Sequence, residues 1–186
     1  MGVNTASRLL VVFSPGWDNT EMEAKRIQGR RWVLSSVEEN RAAAAEIAAQ
    51  AKRWISIYTP DLEPGIYDHS KFLDVAKRLV LAKPYAKIRV LISEPSRTVR
   101  IGNRFVSVGR RLNSYIEFRN VHADYRDHRE AYLIADDTAL LYRVEGRKWE
   151  GIADTYEPAV ARRYLSLFDD IWNASEIEQE IRELRV

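Results

Sequence analysis

The chain has 186 residues, with 29 Lys and Arg against 27 Asp and Glu, a formal net charge of +2, no cysteine and 46% hydrophobic residues. At about 100–200 residues per domain this fits one domain with a sizeable core, and the near-balanced charge argues against a surface wholly given to nucleic acid. Lack of cysteine excludes disulfides, thiol catalysis and cysteine-held zinc or iron–sulfur centres, and no apolar run is long enough for a signal-peptide core or a membrane span, so a soluble cytoplasmic protein is expected.

Residues 1–30 carry one apolar run, 9–13, ended by Pro15 and Gly16, and are read as an N-terminal arm. From residue 31 the pattern is regular. Residues 32–34 predict a short strand, and Ser36 with Glu39 three positions on is a capping box opening an alanine-rich helix to Arg53. Its small residues suit close packing on a sheet or on a second subunit. Residues 54–58 alternate and predict a strand, and Pro60, Pro64 and Gly65 a loop. Ser70 can cap a second helix that gathers Phe72, Leu73, Ala76, Leu79 and Val80 on one face and stops at Pro84. Residues 88–92 predict a central strand.

Over residues 97–113, Ile101, Phe105, Val108 and Leu112 recur at helical spacing and predict a helix, although Gly102 and Gly109 weaken it. Residues 115–121 predict a strand, and 131–135 with 138–144 a hairpin around Asp136 and Asp137. Pro158 opens a helix whose apolar stripe runs from Val160 and Ala161 through Tyr164, Leu165 and Phe168 to Ile171 and Trp172. Ser175 can cap a short terminal helix. The order predicts an α/β fold over residues 31–186: one mixed β-sheet with helices on both faces. The expected core is Ile55, Ile57, Val90, Leu91, Ile92, Ile116, Phe118, Leu133, Leu140, Phe168 and Trp172.

Several phrases, in order, resemble one half of the phospholipase D-like fold. They are the helix over 72–81 leading into the strand over 88–93, then 115–119, the hairpin over 132–137 and the closing helix over 168–172. The chain also resembles a bacterial branch of that fold whose members are found attached to acetyltransferase domains. Residues 1–30 are too short to hold such a domain, so by analogy an acetyltransferase would be a separate partner. The resemblance implies His-x-Lys-x-x-x-x-Asp at the hairpin start, where histidine attacks phosphorus, lysine neutralises phosphate oxygens and a second histidine protonates the leaving group. It also implies a homodimer, because two halves must face one another to build one site.

This sequence fails that spacing in every register. Counting back from Asp136 places Arg129 and Ala131 at the histidine and lysine positions, and Asp137 places Glu130 and Tyr132 there. Counting forward from His128 gives Glu130 and Ala135, and the literal pair His69 and Lys71 is followed by Ala76 instead of aspartate. Loss of the inherited reaction is expected.

Two other groups of residues carry chemistry. His122 and His128 lie near Asp124 and Asp127, which allows a metal or acid–base cluster, but a solvated polar loop explains them as well. No metal and no cofactor is expected. Between residues 97 and 119 stand six arginines against the single Glu117, a local charge of +5. On one helix, Arg97, Arg100, Arg104 and Arg111 would share a face, suited to bidentate phosphate contacts or to pairing with surface acids. Arg126, Arg129, Arg143, Arg147 and Lys148 surround the hairpin start, where the resemblance puts a phosphate pocket. Charged protection of an edge strand is the plainer alternative.

The leading expectation is a catalytically silent phospholipase D-like binding or regulatory domain. Its anion site, for phosphate or nucleic-acid backbone, would use Arg97, Arg100, Arg104, Arg111, Arg126, Arg129 and Arg143. The rivals are a divergent phosphodiesterase or nuclease working as a dimer through His122 or His128, and a protein-interaction domain without ligand.

Overall fold

The computed structural model describes residues 29–178, so the expected arm lies outside the described residues except for Gly29 and Arg30. Extended segments with alternating apolar side chains form one sheet: β1 (Arg31–Leu34), β2 (Trp54–Thr59), β3 (Lys87–Ile92), β4 (Ile116–Asn120), β5 (Ala131–Ala135), β6 (Ala139–Arg143), β7 (Gly151–Asp154) and β8 (Glu176–Ile177). Their order is β1-β7-β6-β5-β2-β3-β4-β8. β2, β3 and β4 run parallel, and every other neighbouring pair is antiparallel. The join between the two regimes is β2 against β5, with Ile55 opposite Ala135 and Tyr58 opposite Tyr132.

Alternation sends the strand side chains to two cores, one on each face of the sheet. On one face Ile55, Ile57, Ile88, Val90, Leu133 and Leu141 meet α1 (Val37–Ala48), α2 (Pro64–Tyr67), α3 (Ser70–Ala82) and Phe105 and Val106 of α5 (Arg104–Arg111). On the other, Tyr58, Leu91, Tyr132, Ile134 and Leu140 meet Ala161, Phe168, Ile171 and Trp172 of α6 (Pro158–Ala174). Every expected core residue is buried, and the α/β arrangement with helices on both faces is the one the pattern predicts.

Local chemistry accounts for the element boundaries. Ser36 and Glu39 form the capping box, and Phe72, Leu73, Ala76, Leu79 and Val80 form the buried face of α3. α1 ends at Ala48, not at Arg53, because the Asp136 carboxylate accepts from the backbone N–H groups of Lys52, Arg53 and Trp54 and draws them into the entry of β2. His69, without a side-chain cap bond, takes the N-cap position expected of Ser70.

Residues 97–113 do not form one helix. They divide between α4 (Pro95–Ile101) and α5, because Gly102 adopts φ 75° and Asn103 turns extended to cap α5, its side chain accepting from the Phe105 N–H. Two short strands were not expected. β7 approaches β6 so closely that a Cβ on Gly151 would lie 2.6 Å from the Tyr142 carbonyl oxygen. Ser175 ends α6 by donating to the Ile171 carbonyl and accepting from the His122 N–H, and the chain turns into β8 against β4 where a helix was expected. Among the described residues no helix is long and apolar enough to cross a membrane.

Candidate anion site

The sheet topology brings five chain segments to one end. β2 and β3 run out there into Pro60 and into Ser93 and Glu94, while the antiparallel β5 begins there after Arg129 and Glu130, and β6 finishes there at Arg143. The fifth segment is the turn after β4, a single 3-10 turn at Ala123–Tyr125 followed by Arg126. The carboxyl ends of parallel strands are where open α/β sheets leave a crevice for ligands. Here it is a hollow of about 320 Å³ lined by Pro60, Ser93, Glu94, Arg126, His128, Arg129, Glu145 and Arg147. A second hollow beside it shares Ser93, Glu94 and Arg126 and adds Arg97 and Asn120, whose Oδ1 is buried without a partner.

Charge in the hollow is mixed, and the pairing decides what is left over. Arg147 bonds Glu94, which holds the guanidinium even more firmly protonated. Glu145 is held below the usual carboxylate range, first by its hydrogen bond to Lys148. Arg97 reaches Asp61 at 3.2 Å and Glu94 at 3.9 Å. Arg126 and Arg129 are exposed and form no ion pair among the described residues; Arg126 donates to the Val121 carbonyl at 3.3 Å, and Arg129 acts on Glu145 only through its field, helping to hold that carboxyl down. Their charge is therefore available to a ligand. His128 stacks on Tyr125 and sets its Nδ1 3.5 Å from Glu130.

Arg143 corrects the expected set. It is fully buried under the hollow, bound to Glu63 through two contacts of 2.6 Å, and it donates to the carbonyls of Gly146 and Lys148 at 2.9 Å. Burial pushes the Glu63 carboxyl above its ordinary value, and the Arg143 guanidinium offsets only part of that rise. Such a cation is consumed internally and shapes the loop that carries Glu145 and Arg147.

The break at Gly102 likewise scatters the other arginines. Arg104 is tied to Asp68 at 2.5 Å, and Arg100 and Arg111 are exposed on different helices, none of the three lining the hollow. The structure thus gathers Arg97, Arg126 and Arg129 and separates Arg100, Arg104, Arg111 and Arg143 from them. Sequence reasoning missed Ser93, Glu94 and Glu145. The available signal was that Ser93 and Glu94 directly follow the central strand β3. Among the described residues no group of three metal-ligating side chains forms, and His122 faces Asp124 alone at 3.5 Å.

Residues 36–184 match the model of a family described as a domain of unknown function (DUF7931). No curated protein matches the chain. Among solved structures, TrmBL2, an archaeal chromatin protein described as showing a novel mode of DNA binding, is similar at TM-score 0.59 and 14% identity over 80% of this chain and 53% of its own. This chain thus spans about half of the archaeal protein. Nuc from Salmonella typhimurium, a phospholipase D family member, is similar at TM-score 0.56 and 17% identity over 81% of this chain and 99% of its own. NucT from Helicobacter pylori is similar at TM-score 0.54 and 12% identity over 81% of this chain and 100% of its own. At these identities the likeness establishes the fold, which is phospholipase D-like.

Proposed function

The chain belongs to the DUF7931 family, and on that premise we propose that it is a catalytically silent phospholipase D-like module that binds a phosphate-bearing anion, a nucleotide or a nucleic-acid backbone. The observation that carries this reading is the pair Arg126 and Arg129, exposed and in no ion pair with a described residue, in the hollow at the carboxyl ends of the parallel strands. Guanidinium groups stay charged at any cellular pH and match phosphate oxygens in pairs. Arg129 also stands where the nucleophilic histidine falls when the phospholipase D motif is counted back from Asp136, so this reading keeps the phosphate site and gives up the chemistry. The DNA binding described for the archaeal chromatin protein is consistent with such a role.

With few cations engaged, binding is weak and declines with salt along a shallow slope. The test is titration of a short oligonucleotide and of a nucleotide at two salt concentrations, repeated with Arg126→Ala/Arg129→Ala. Loss in the variant supports the reading. Equal binding by parent and variant, or none at low salt, overturns it in favour of a protein-interaction domain. Pairing of two copies, and association with an acetyltransferase, belong to the same proposal and are read from sedimentation with and without that partner.

One observation favours a second reading. His128 lines the same hollow with its Nδ1 turned toward Glu130, leaving Nε2 as a possible nucleophile for a phosphodiester. Metal-independent hydrolysis that disappears in His128→Ala would make the protein a divergent phosphodiesterase.

A further inference from the structure

The opposite end of the sheet holds a larger hollow, about 510 Å³, within the roughly 300–1,000 Å³ range of small-molecule sites. It lies between the start of β2, the β5–β6 turn and the middle of α6. Its apolar wall is Trp54 and Leu165. Trp54, the first residue of β2, remains 36% exposed, because α6 covers the sheet through Phe168 and Trp172 and leaves the indole at the rim.

Charge here is already matched except at two positions. Asp136 is occupied by three backbone N–H groups, Asp137 accepts from Arg162 at 2.8 Å, and Asp169 forms an ion pair with Arg89 at 2.7 Å. Arg89 also donates to Ser56 and lies 5.4 Å from the Trp54 ring centre, so it is fixed in the wall. Lys52 and Arg53 line the same hollow, are exposed, and form no ion pair among the described residues. A half-exposed indole beside two unmatched cations offers a flat apolar surface and a positive rim within one cavity.

We propose that this hollow is a second binding site, for a small planar aromatic anion, with the ring on Trp54 and the anionic group on Lys52 and Arg53. Stacking is tolerant of ring identity, and the cations select for charge. Neutral aromatics and bare phosphate each satisfy only half of the site. The six-residue β2 separates this site from the first hollow by roughly 16 Å at 3.3 Å per step, so the two bind independently.

The experiment titrates the full chain with adenosine 5′-monophosphate and with naphthalene-2-carboxylate, following tryptophan fluorescence and calorimetry. Adenosine and inorganic phosphate serve as half-ligands. At least one aromatic anion is expected to bind at least tenfold tighter than either half-ligand, and the better of the two tells whether the anionic group is phosphate or carboxylate. Lys52→Ala/Arg53→Ala, at exposed positions, should weaken it at least tenfold with unchanged thermal unfolding, and Trp54→Ser should abolish the quenching. Arg126→Ala/Arg129→Ala should leave it unchanged, even if that variant loses the first site. Absence of binding by both aromatic anions, full binding by the Lys52/Arg53 variant, or loss confined to the Arg126/Arg129 variant would overturn the proposal.

Discussion

Two arginine-bearing regions of this protein look alike in sequence and differ in space. Residues 97–111 carry the denser run, yet Gly102 divides them between two short helices, and their guanidiniums separate toward Asp61, Asp68 and solvent. Residues 126–147 are sparser, but antiparallel return of β5 and β6 brings Arg126, Arg129 and Arg147 to one hollow and puts Arg143 beneath it. The difference teaches that a site is made where strand ends meet. Charge density along the chain gives a solvated surface unless topology folds it back on itself.

Within the second region, the largest expected effect comes from its one buried member. Arg143→Met leaves Glu63 buried and unpaired, and should cost about 3–5 kcal/mol in a urea melt. Converting Glu63 to Met as well should recover most of that loss, since two apolar side chains need no partner. Failure of the double variant to recover would mean that the bonds to the Gly146 and Lys148 carbonyls matter more than the ion pair.

In the first region the sensitive residue is not an arginine. A Cβ on Gly109 would lie 2.3 Å from the Phe118 ring, so Gly109→Ala should cost about 1–3 kcal/mol through overpacking of α5 on β4. Thermal unfolding of this variant beside Arg100→Ala/Arg111→Ala, one change on each helix and expected to be silent, shows whether this region is held by packing or by charge.

Arg126→Ala/Arg129→Ala should change stability by less than about 0.5 kcal/mol, as exposed substitutions do. It should flatten the salt dependence of single-stranded oligonucleotide binding by about 1.4 in log–log slope if each arginine neutralises one phosphate. Here the two regions separate most clearly, because the Arg100/Arg111 variant should leave that slope intact.

The smallest effect lies outside both regions. The Ser35 N–H is the first of the bonds that hold the Glu39 carboxyl below its ordinary value of 4.5. A lowered folded value means a contribution present above pH 4.5 and lost as the pH falls through the folded value. The difference in melting temperature between parent and Glu39→Gln should therefore be present at pH 7 and shrink in acid.

Much of this architecture was legible because single-element patterns decide it. The buried face of α3, the Ser36–Glu39 capping box and the hairpin around Asp136 each follow from residues a few positions apart. The break at Gly102 was less so, because Ile101, Phe105, Val108 and Leu112 keep helical spacing across it. The burial of Arg143 was hidden for a plainer reason: its partner Glu63 is 80 residues away, and nothing local distinguishes it from the exposed Arg129. β8 has only two residues and β7 carries Gly151 and Asp154 at its ends, poor strand formers, so both exist through pairing with strands already in place.

The turn at Asp136 has a consequence for how the chain reaches this state. Its backbone sits at φ 53°, a region aspartate tolerates better than most residues, and its carboxylate collects N–H groups from positions 82 to 84 residues earlier. The tip of a local hairpin therefore completes its bonding only when a distant loop arrives. Contacts of that span are slow to form, so docking of the β5–β6 hairpin on β2 is expected to be the late, rate-setting event in refolding. Asp136→Asn should slow it more than any change in α3, whose contacts form early from neighbouring turns.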